Sequence, residues 1–361
     1  GLAIDPLVAN LHHRLAYTLV QRATYDKLHG RDPRPLLAAA AASYRRTLAI
    51  NPRTYQAYSN LGNAHVIAAD FANDHGLDPR PALAAAEASY RGALDLNPRF
   101  ASAHQNLGGA LLIRAQYEIK AGLDPRPVLE QARRELQAAR ELNRNDPDPV
   151  SNLASAALFL AGYLAGRGAD PSPALAAGTR EVERSLAMNP KDAEVIRLRA
   201  ELALVAARWA LRRGAAPDAR LAAAMRDLDR SLAVNAADAV TWSDRAAVEE
   251  LRCEPGVMFP AALPAGADAA FRPAPAACAA AAARGLAAVT RALALNARLA
   301  EAERLRGALE LAAARAAAAP AARRAAAARA RAALGRAVAL DPLLRAKIEP
   351  LLGAATAAAG S

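Results

Sequence analysis

Two helix-stopping turn signals recur along this chain of 361 residues at one fixed step of 46. The first reads His29-Gly30-Arg31-Asp32-Pro33-Arg34-Pro35 and returns as His75-Gly76-Leu77-Asp78-Pro79-Arg80-Pro81 and Ala121-Gly122-Leu123-Asp124-Pro125-Arg126-Pro127. It fades through Arg167-Gly168-Ala169-Asp170-Pro171-Ser172-Pro173 to Arg213-Gly214-Ala215-Ala216-Pro217. The second, Ile50-Asn51-Pro52, returns as Leu96-Asn97-Pro98, Leu142-Asn143, Met188-Asn189-Pro190 and Val234-Asn235. Because the two marks interleave, every step holds two helices. Such a pair leaves an apolar face that only the next pair can bury, so the spacing predicts a stacked helical array.

In the unit from Thr54 to Pro98, helix A is expected from about Thr54 to His75, ended by Gly76 in the left-handed conformation. Asp78 is then expected to cap the next helix, with Pro79 in its first turn, where no backbone donor is missed. Helix B runs to about Leu96, and Asn97-Pro98 stops it and turns the chain. Applying the period places helix pairs at about 7–50, 54–96, 100–142, 148–188, 192–234, 238–295 and 298–340, with a last helix near 343–355. The period fails once. From Asn235 to Asn296 the step is 61, and the excess lies in Glu254–Pro275, rich in Pro, Gly and Ala. Three regions follow: regular repeats over 1–252, an insertion over 253–278, and degenerate repeats with a capping helix over 279–361.

Composition bears on partners. Only 4% of residues are aromatic, so the core must be built from small residues at close helix contacts. The net charge of +11 points to anionic partners, yet only Lys27, Lys120, Lys191 and Lys347 are lysines among 46 basic residues, the imprint of a GC-rich coding sequence. Most of the charge also lies after Pro255, where 14 basic residues face 6 acidic ones, and the earlier repeats are close to neutral. No secretory signal is visible, and a cytoplasmic location is expected. The chain opens at Gly1 within a repeat, as a fragment of a longer protein would. The uncharged run Pro149–Gly166 carries Ser151, Asn152 and Ser155 on a repeat helix, which argues against a membrane span.

The residues inside the unit carry a resemblance. Helix A has Tyr58-Ser59-Asn60-Leu61-Gly62-Asn63-Ala64-His65, and helix B has Ala86, Tyr90, Ala93 and Leu94 before Asn97-Pro98. The pattern resembles the tetratricopeptide (TPR) repeat family, holding well in His104–Leu111, partly in Val150–Ala157 and weakly later, where Trp242 alone keeps the helix A aromatic. The resemblance implies an all-α, right-handed superhelix, or solenoid, of antiparallel helix pairs. The usual unit of the family has 34 residues, so the 46-residue period here implies a longer helix A and turn. Long repeats with Asp-Pro-Arg-Pro turns also resemble the C-terminal arrays of certain bacterial eukaryotic-like Ser/Thr protein kinases. No kinase motif is present in this sequence.

One polar column stands out. The residue before the helix A Leu is Asn60, Asn106 and Asn152, with Arg14 at the same register one unit earlier. The resemblance implies that this position lines a concave groove, where an amide offers both donor and acceptor to the backbone of an extended peptide. His13, Ser59, Asn63, Gln105 and Ser151 are expected to flank it. The alternative is that these side chains only bond neighbouring helices.

The rest of the chain points away from chemistry. The six His make no metal site: His12 and His13 are adjacent and diverge on a helix, His29 and His75 occupy equivalent positions beside the turn glycines, and His65 and His104 stand at different registers of neighbouring A helices. Cys253 and Cys278 lack the partners of a zinc pattern, and they bracket the insertion as either free thiols or a staple that would indicate an oxidising compartment. No nucleophile with a base, phosphate loop or carboxylate pair appears, so no catalytic residue and no cofactor is expected. The leading expectation is a non-enzymatic scaffold with a protein or peptide partner in its groove. The rival is a basic module for nucleic acid or an anionic surface, resting on Arg323, Arg324, Arg329, Arg331 and Arg336, although no aromatic interleaves them to stack a base. A third reading, the repeat arm of a glycosyltransferase-like enzyme, needs a catalytic domain that these residues do not contain.

Overall fold

The structure is a computed structural model describing residues 6–29, 31–253 and 274–360. Gly30 and positions 254–273 of the expected insertion lie outside the described residues. The helices are α1 (Pro6–Leu28), α2 (Arg34–Ile50), α3 (Tyr55–Asp74), α4 (Arg80–Leu96), α5 (Ala101–Lys120), α6 (Arg126–Leu142), α7 (Asp148–Gly166) and α8 (Ser172–Met188). They continue as α9 (Ala193–Arg212), α10 (Asp218–Val234), α11 (Ala239–Cys253), α12 (Pro275–Leu295), α13 (Ala300–Ala316), α14 (Pro320–Leu340), a 3-10 turn at Pro342–Leu344, and α15 (Arg345–Gly360). Among the described residues the chain is thus an all-α helical-repeat solenoid with seven helix pairs and a closing helix. Two compact units divide within α7, at Gly1–Ala156 and Ala157–Ser361.

The turns follow from their residues. Gly76, Gly122, Gly168 and Gly214 have φ of 65, 73, 76 and 71°, which an L side chain resists. The next residue then donates back five positions, as Leu77 N does to Ala72 O at 2.8 Å and Leu123 N to Glu118 O at 2.8 Å, closing these A helices with a Schellman turn. The second mark also acts as expected. Asn51, Asn97, Asn189, Asn235 and Asn296 leave the B helices in extended conformations, and the Asn97 side chain accepts from Arg99 N at 3.2 Å.

Pro79 is already in helical geometry at the start of helix B, and Asp78 before it serves the first turn as expected. Asp78 Oδ1 accepts from Arg80 N at 3.0 Å, while the Arg80 guanidinium closes on the same carboxylate at 2.9 and 2.6 Å. Asp32–Arg34 and Asp124–Arg126 repeat this clip. The Arg34 bonds hold the exposed Asp32 carboxyl at about 2.

In the first unit, Leu37, Ala40, Ala41 and Tyr44 of α2 are sandwiched between Ala16, Val20 and Ala23 of α1 and Ala57, Leu61 and Ala64 of α3. Small residues let the helices approach. A Cβ on Gly62 would lie 2.5 Å from the ring of buried Tyr90, and one on Gly108 would lie 2.5 Å from Leu136. The Gly of the Asn-Leu-Gly pattern is therefore the seat for a large helix B side chain.

The second unit repeats the device at Gly307, where a Cβ would meet Leu334 at 2.5 Å. Its core joins Leu204 and Leu211 of α9, Leu221 and Leu228 of α10, Val248 of α11, Val289 of α12 and Leu309 of α13. Cys253 and Cys278 form a disulfide, with Cα atoms 4.4 Å apart, that ties the end of α11 to the start of α12. By length and composition α7 and α12 could each cross a membrane. Their places in the array account for both: α7 fills a helix A position with Val150, Leu153 and Ala154 buried, and α12 packs Ala281, Ala288 and Val289 inward.

Candidate functional site

The A helices carry polar side chains in register. In the first unit Asn60 Nδ2 donates to His13 Nε2 at 3.2 Å, linking α3 to α1. Burial lowers the pKa of His13, which keeps the ring neutral and Nε2 free to accept. Asn106 Nδ2 donates to Asn63 Oδ1 at 3.0 Å, linking α5 to α3, and the Tyr90 hydroxyl donates to the same oxygen at 2.7 Å. Gln105 Nε2 donates to Asp148 Oδ2 at 3.1 Å, and Ser151 Oγ donates to Asp148 O at 2.9 Å within α7. Asn60 and Asn106 therefore do bond neighbouring helices, as the alternative reading holds. Each is nonetheless half-buried, with its own amide oxygen uncommitted. Asn152, Asn63 and His13 are likewise half-buried, and Arg14 is exposed. Ser59 is 3% exposed and contributes nothing to an open face.

The turns hold a second ladder that the sequence reading passed over. At the end of each of the first five A helices stands an aromatic, Tyr25, Phe71, Tyr117, Tyr163 and Trp209 in one column. The clip arginine of one unit lies over the ring of the next, Arg34 at 5.2 Å from Phe71 and Arg80 at 5.3 Å from Tyr117. The turns were expected to be punctuation alone, and they are also braces between units. His29 and His75 belong here: each stacks on its aromatic, and each sets Nδ1 2.7–2.8 Å from the carbonyl oxygen of that residue. His104 has another role, with Nδ1 2.7 Å from Glu135 Oε2 and Nε2 3.0 Å from Pro98 O. The Glu135 bond raises its pKa, as two acceptors favour the imidazolium.

In the second unit the same columns turn ionic. Asp244 stands four periods after Asn60, and Glu201 three periods after Asn63. Arg197 contacts Glu201 and lies 3.6 Å from Asp244 Oδ2. Next to them Arg304, 1% exposed, grips Glu250, 2% exposed, at 2.7 and 3.0 Å, and its Nε donates to Glu301 at 2.8 Å. Desolvation acts against the charge of Arg304, but Glu250 and Glu301 hold its pKa above the ordinary value. Desolvation likewise opposes the Glu301 charge, and Arg304 and Lys347 still keep that carboxyl at about 2. Arg208 Nε has no hydrogen-bond partner, and burial lowers the pKa of this guanidinium.

Asp244 is the weak point of this cluster. Burial, followed by the charge of Glu201, pushes its carboxyl well above the usual range. Its Oδ2 has no donor unless a proton stays between the two carboxyls, and with that proton Glu201 and Asp244 bond as Asn63 and Asn106 do. An unfolded Asp ionises at about 3.9. Above that pH the folded chain binds the extra proton, so stability is full in acid and is lost as pH rises through the raised pKa. Asp244→Asn, which restores the column residue, is expected to raise the melting temperature at pH 8 and to flatten its fall between pH 5 and 8. Thermal melts across that range check this.

The Arg-rich C-terminal third is largely spent on the fold. Arg329 pairs with Glu310 at 2.8 Å and Arg336 with Glu303 at 2.9 Å, each between α14 and α13, and Arg284 pairs with Glu249 at 2.8 Å. Arg323 donates to Ala317 O at 3.3 Å, while Arg324 and Arg331 are exposed. Among the described residues no group of three His, Cys, Asp or Glu is gathered as a metal would require.

No protein-family model matches the sequence, and no curated protein matches it either. Solved structures do match. A tetratricopeptide repeat protein from Parabacteroides merdae aligns over 95% of this chain and 99% of its own, at 13% identity and a TM-score of 0.55. A chain of the APC/C hetero-tetramer Cut9–Hcn1 aligns over 97% of this chain and 54% of its own, at 14% identity and a TM-score of 0.53. In fold, this chain is therefore similar to solved tetratricopeptide repeat proteins.

Proposed function

We propose that this chain is a non-enzymatic scaffold that holds a protein or an extended peptide along the A helices of its first unit. The observation that carries this is the run of half-buried amides at Asn60, Asn63, Asn106 and Asn152. Each of the bonded amides keeps hydrogen-bonding capacity after serving its neighbour, as recognition of a peptide backbone needs. In the wider protein the scaffold serves as the regulatory or substrate-recruiting region of a bacterial Ser/Thr kinase, a reading that rests on the Asp-Pro-Arg-Pro repeat style. The disulfide favours an oxidising compartment over the cytoplasm. Counting free thiols in protein isolated under alkylating conditions decides between them.

Replacing Asn60, Asn106 and Asn152 together with Ala tests the reading. The triple variant is expected to keep its helicity, to lose about 1 kcal/mol of stability for each bond removed, and to lose the protein partners that the parent captures. Undiminished capture at unchanged helicity rules out the amide row as the binding element.

A further inference from the structure

The fourth turn keeps two parts of a brace and lacks the third. In the first two turns a clip arginine joins a carboxylate of its own turn to the aromatic of the next A helix. Arg80 bonds Asp78 at 2.9 and 2.6 Å while its guanidinium lies 5.3 Å from the centre of the Tyr117 ring. Arg34 does the same between Asp32 and Phe71. Two periods after the Asp78 turn the carboxylate is Asp170 and the aromatic is Trp209, but the arginine has become Ser172.

The two remaining parts are open. Asp170 is exposed, and both bonds it receives, from Ser172 N at 3.0 Å and Ser172 Oγ at 2.6 Å, fall on Oδ1. Its Oδ2, the counterpart of the oxygen that takes an Arg80 terminal nitrogen, is left without a hydrogen bond among the described residues. The Ser172 bonds hold this carboxyl below the usual range, so it is charged at neutral pH. Arg213 does not fill the place. It stands three periods after His75, which stacks on Phe71 at 3.9 Å while Arg34 lies 5.2 Å from the same ring, so one ring takes both neighbours. Arg213 lies 5.9 Å from the Trp209 ring centre, and its charge acts on Asp170 as that of His75 acts on Asp32. The turn thus faces its following helix as the first one does, with the arginine missing.

We propose that Asp170 and Trp209 form a docking site for a guanidinium, the side chain of an arginine on a protein partner. The guest lies across the indole and pairs with Asp170 Oδ2, as Arg80 does with Tyr117 and Asp78. A planar fork suits this place better than an ammonium, because it can stack and bond a carboxylate at once. The site lies in the second unit and does not depend on the amide row.

The test reads the indole N–H signals of the full chain by nuclear magnetic resonance. Trp209 and Trp242 are the two tryptophans, and Trp242 is the internal reference: its Nε1 donates to Ala236 O at 3.0 Å, and Arg245 already lies 5.6 Å from its ring centre. Titration with N-acetyl-arginine amide is expected to shift the Trp209 signal saturably and to leave Trp242 in place. Asp170→Asn is expected to weaken binding about fivefold, the scale of one exposed ion pair of good geometry. N-acetyl-citrulline amide, which keeps the shape without the charge, should not bind. Ser172→Arg returns the chain's own brace, so it is expected to abolish binding and to move the Trp209 signal towards its saturated position at unchanged circular dichroism. Undiminished binding to Ser172→Arg overturns the proposal, as does an equal response to citrulline or the absence of a saturable shift. Tighter binding of free L-arginine than of the blocked amide also overturns it, because the site then reads the amino acid and not a partner's side chain.

Discussion

Arg304→Met is expected to destabilise the second unit by about 3–5 kcal/mol, the cost of leaving a buried charge without its partner. The charge is Glu250, which is 2% exposed and receives both terminal nitrogens of Arg304. Removing the guanidinium strands that carboxylate in a medium that cannot hydrate it. The lost packing of the arginine stem is partly replaced by methionine, so the electrostatic part dominates. The double variant Arg304→Met with Glu250→Met is expected to recover at least half of the loss, since buried ion pairs contribute little over apolar side chains of similar volume. Urea unfolding of the parent, single and double variants measures both. Equal losses in the single and double variants would show that the ion pair is not the source.

Tyr90→Ala is expected to cost the first unit about 3–5 kcal/mol, as for other large-to-small changes of a buried aromatic. The ring fills the seat over Gly62, and its hydroxyl holds the Asn63 oxygen that also receives Asn106. Tyr90→Phe keeps the ring and should lose only about 1 kcal/mol for the bond. Gly62→Ala overpacks the same contact, at about 1–3 kcal/mol. Because the two sites touch, Gly62→Ala is expected to cost much less when Tyr90 is already Ala. Additive losses in this double-variant cycle would mean that the ring does not rest on the glycine as the structure has it.

These contacts show where the sequence was informative. The Gly and Asn stops, each with a local physical cause, locate nearly every helix boundary, and the fold follows from their interleaving. The bond from Arg80 N to Asp78 was legible from the Asp-Pro-Arg order, but the second grip of the Arg80 guanidinium on the same carboxylate was not. Both Gly62 and Tyr90 were visible in the repeat pattern, but their contact depends on how two helices cross. The ionic cluster was hidden for another reason. The amide column breaks at Leu198, so Asp244 went unrecognised as its continuation, and charged residues on a helix ordinarily read as solvated. The ion pairs of Arg329 and Arg336 were hidden as well, because their carboxylates lie on a different helix.

The braces between turn and ring give the first unit a direction. Arg34 leans on Phe71 and Arg80 on Tyr117, so a turn is finished only by the helix that follows it. A chain emerging from the ribosome would thus complete each joint one repeat late. Under strain, the joint that has lost its downstream neighbour is the one that loosens first.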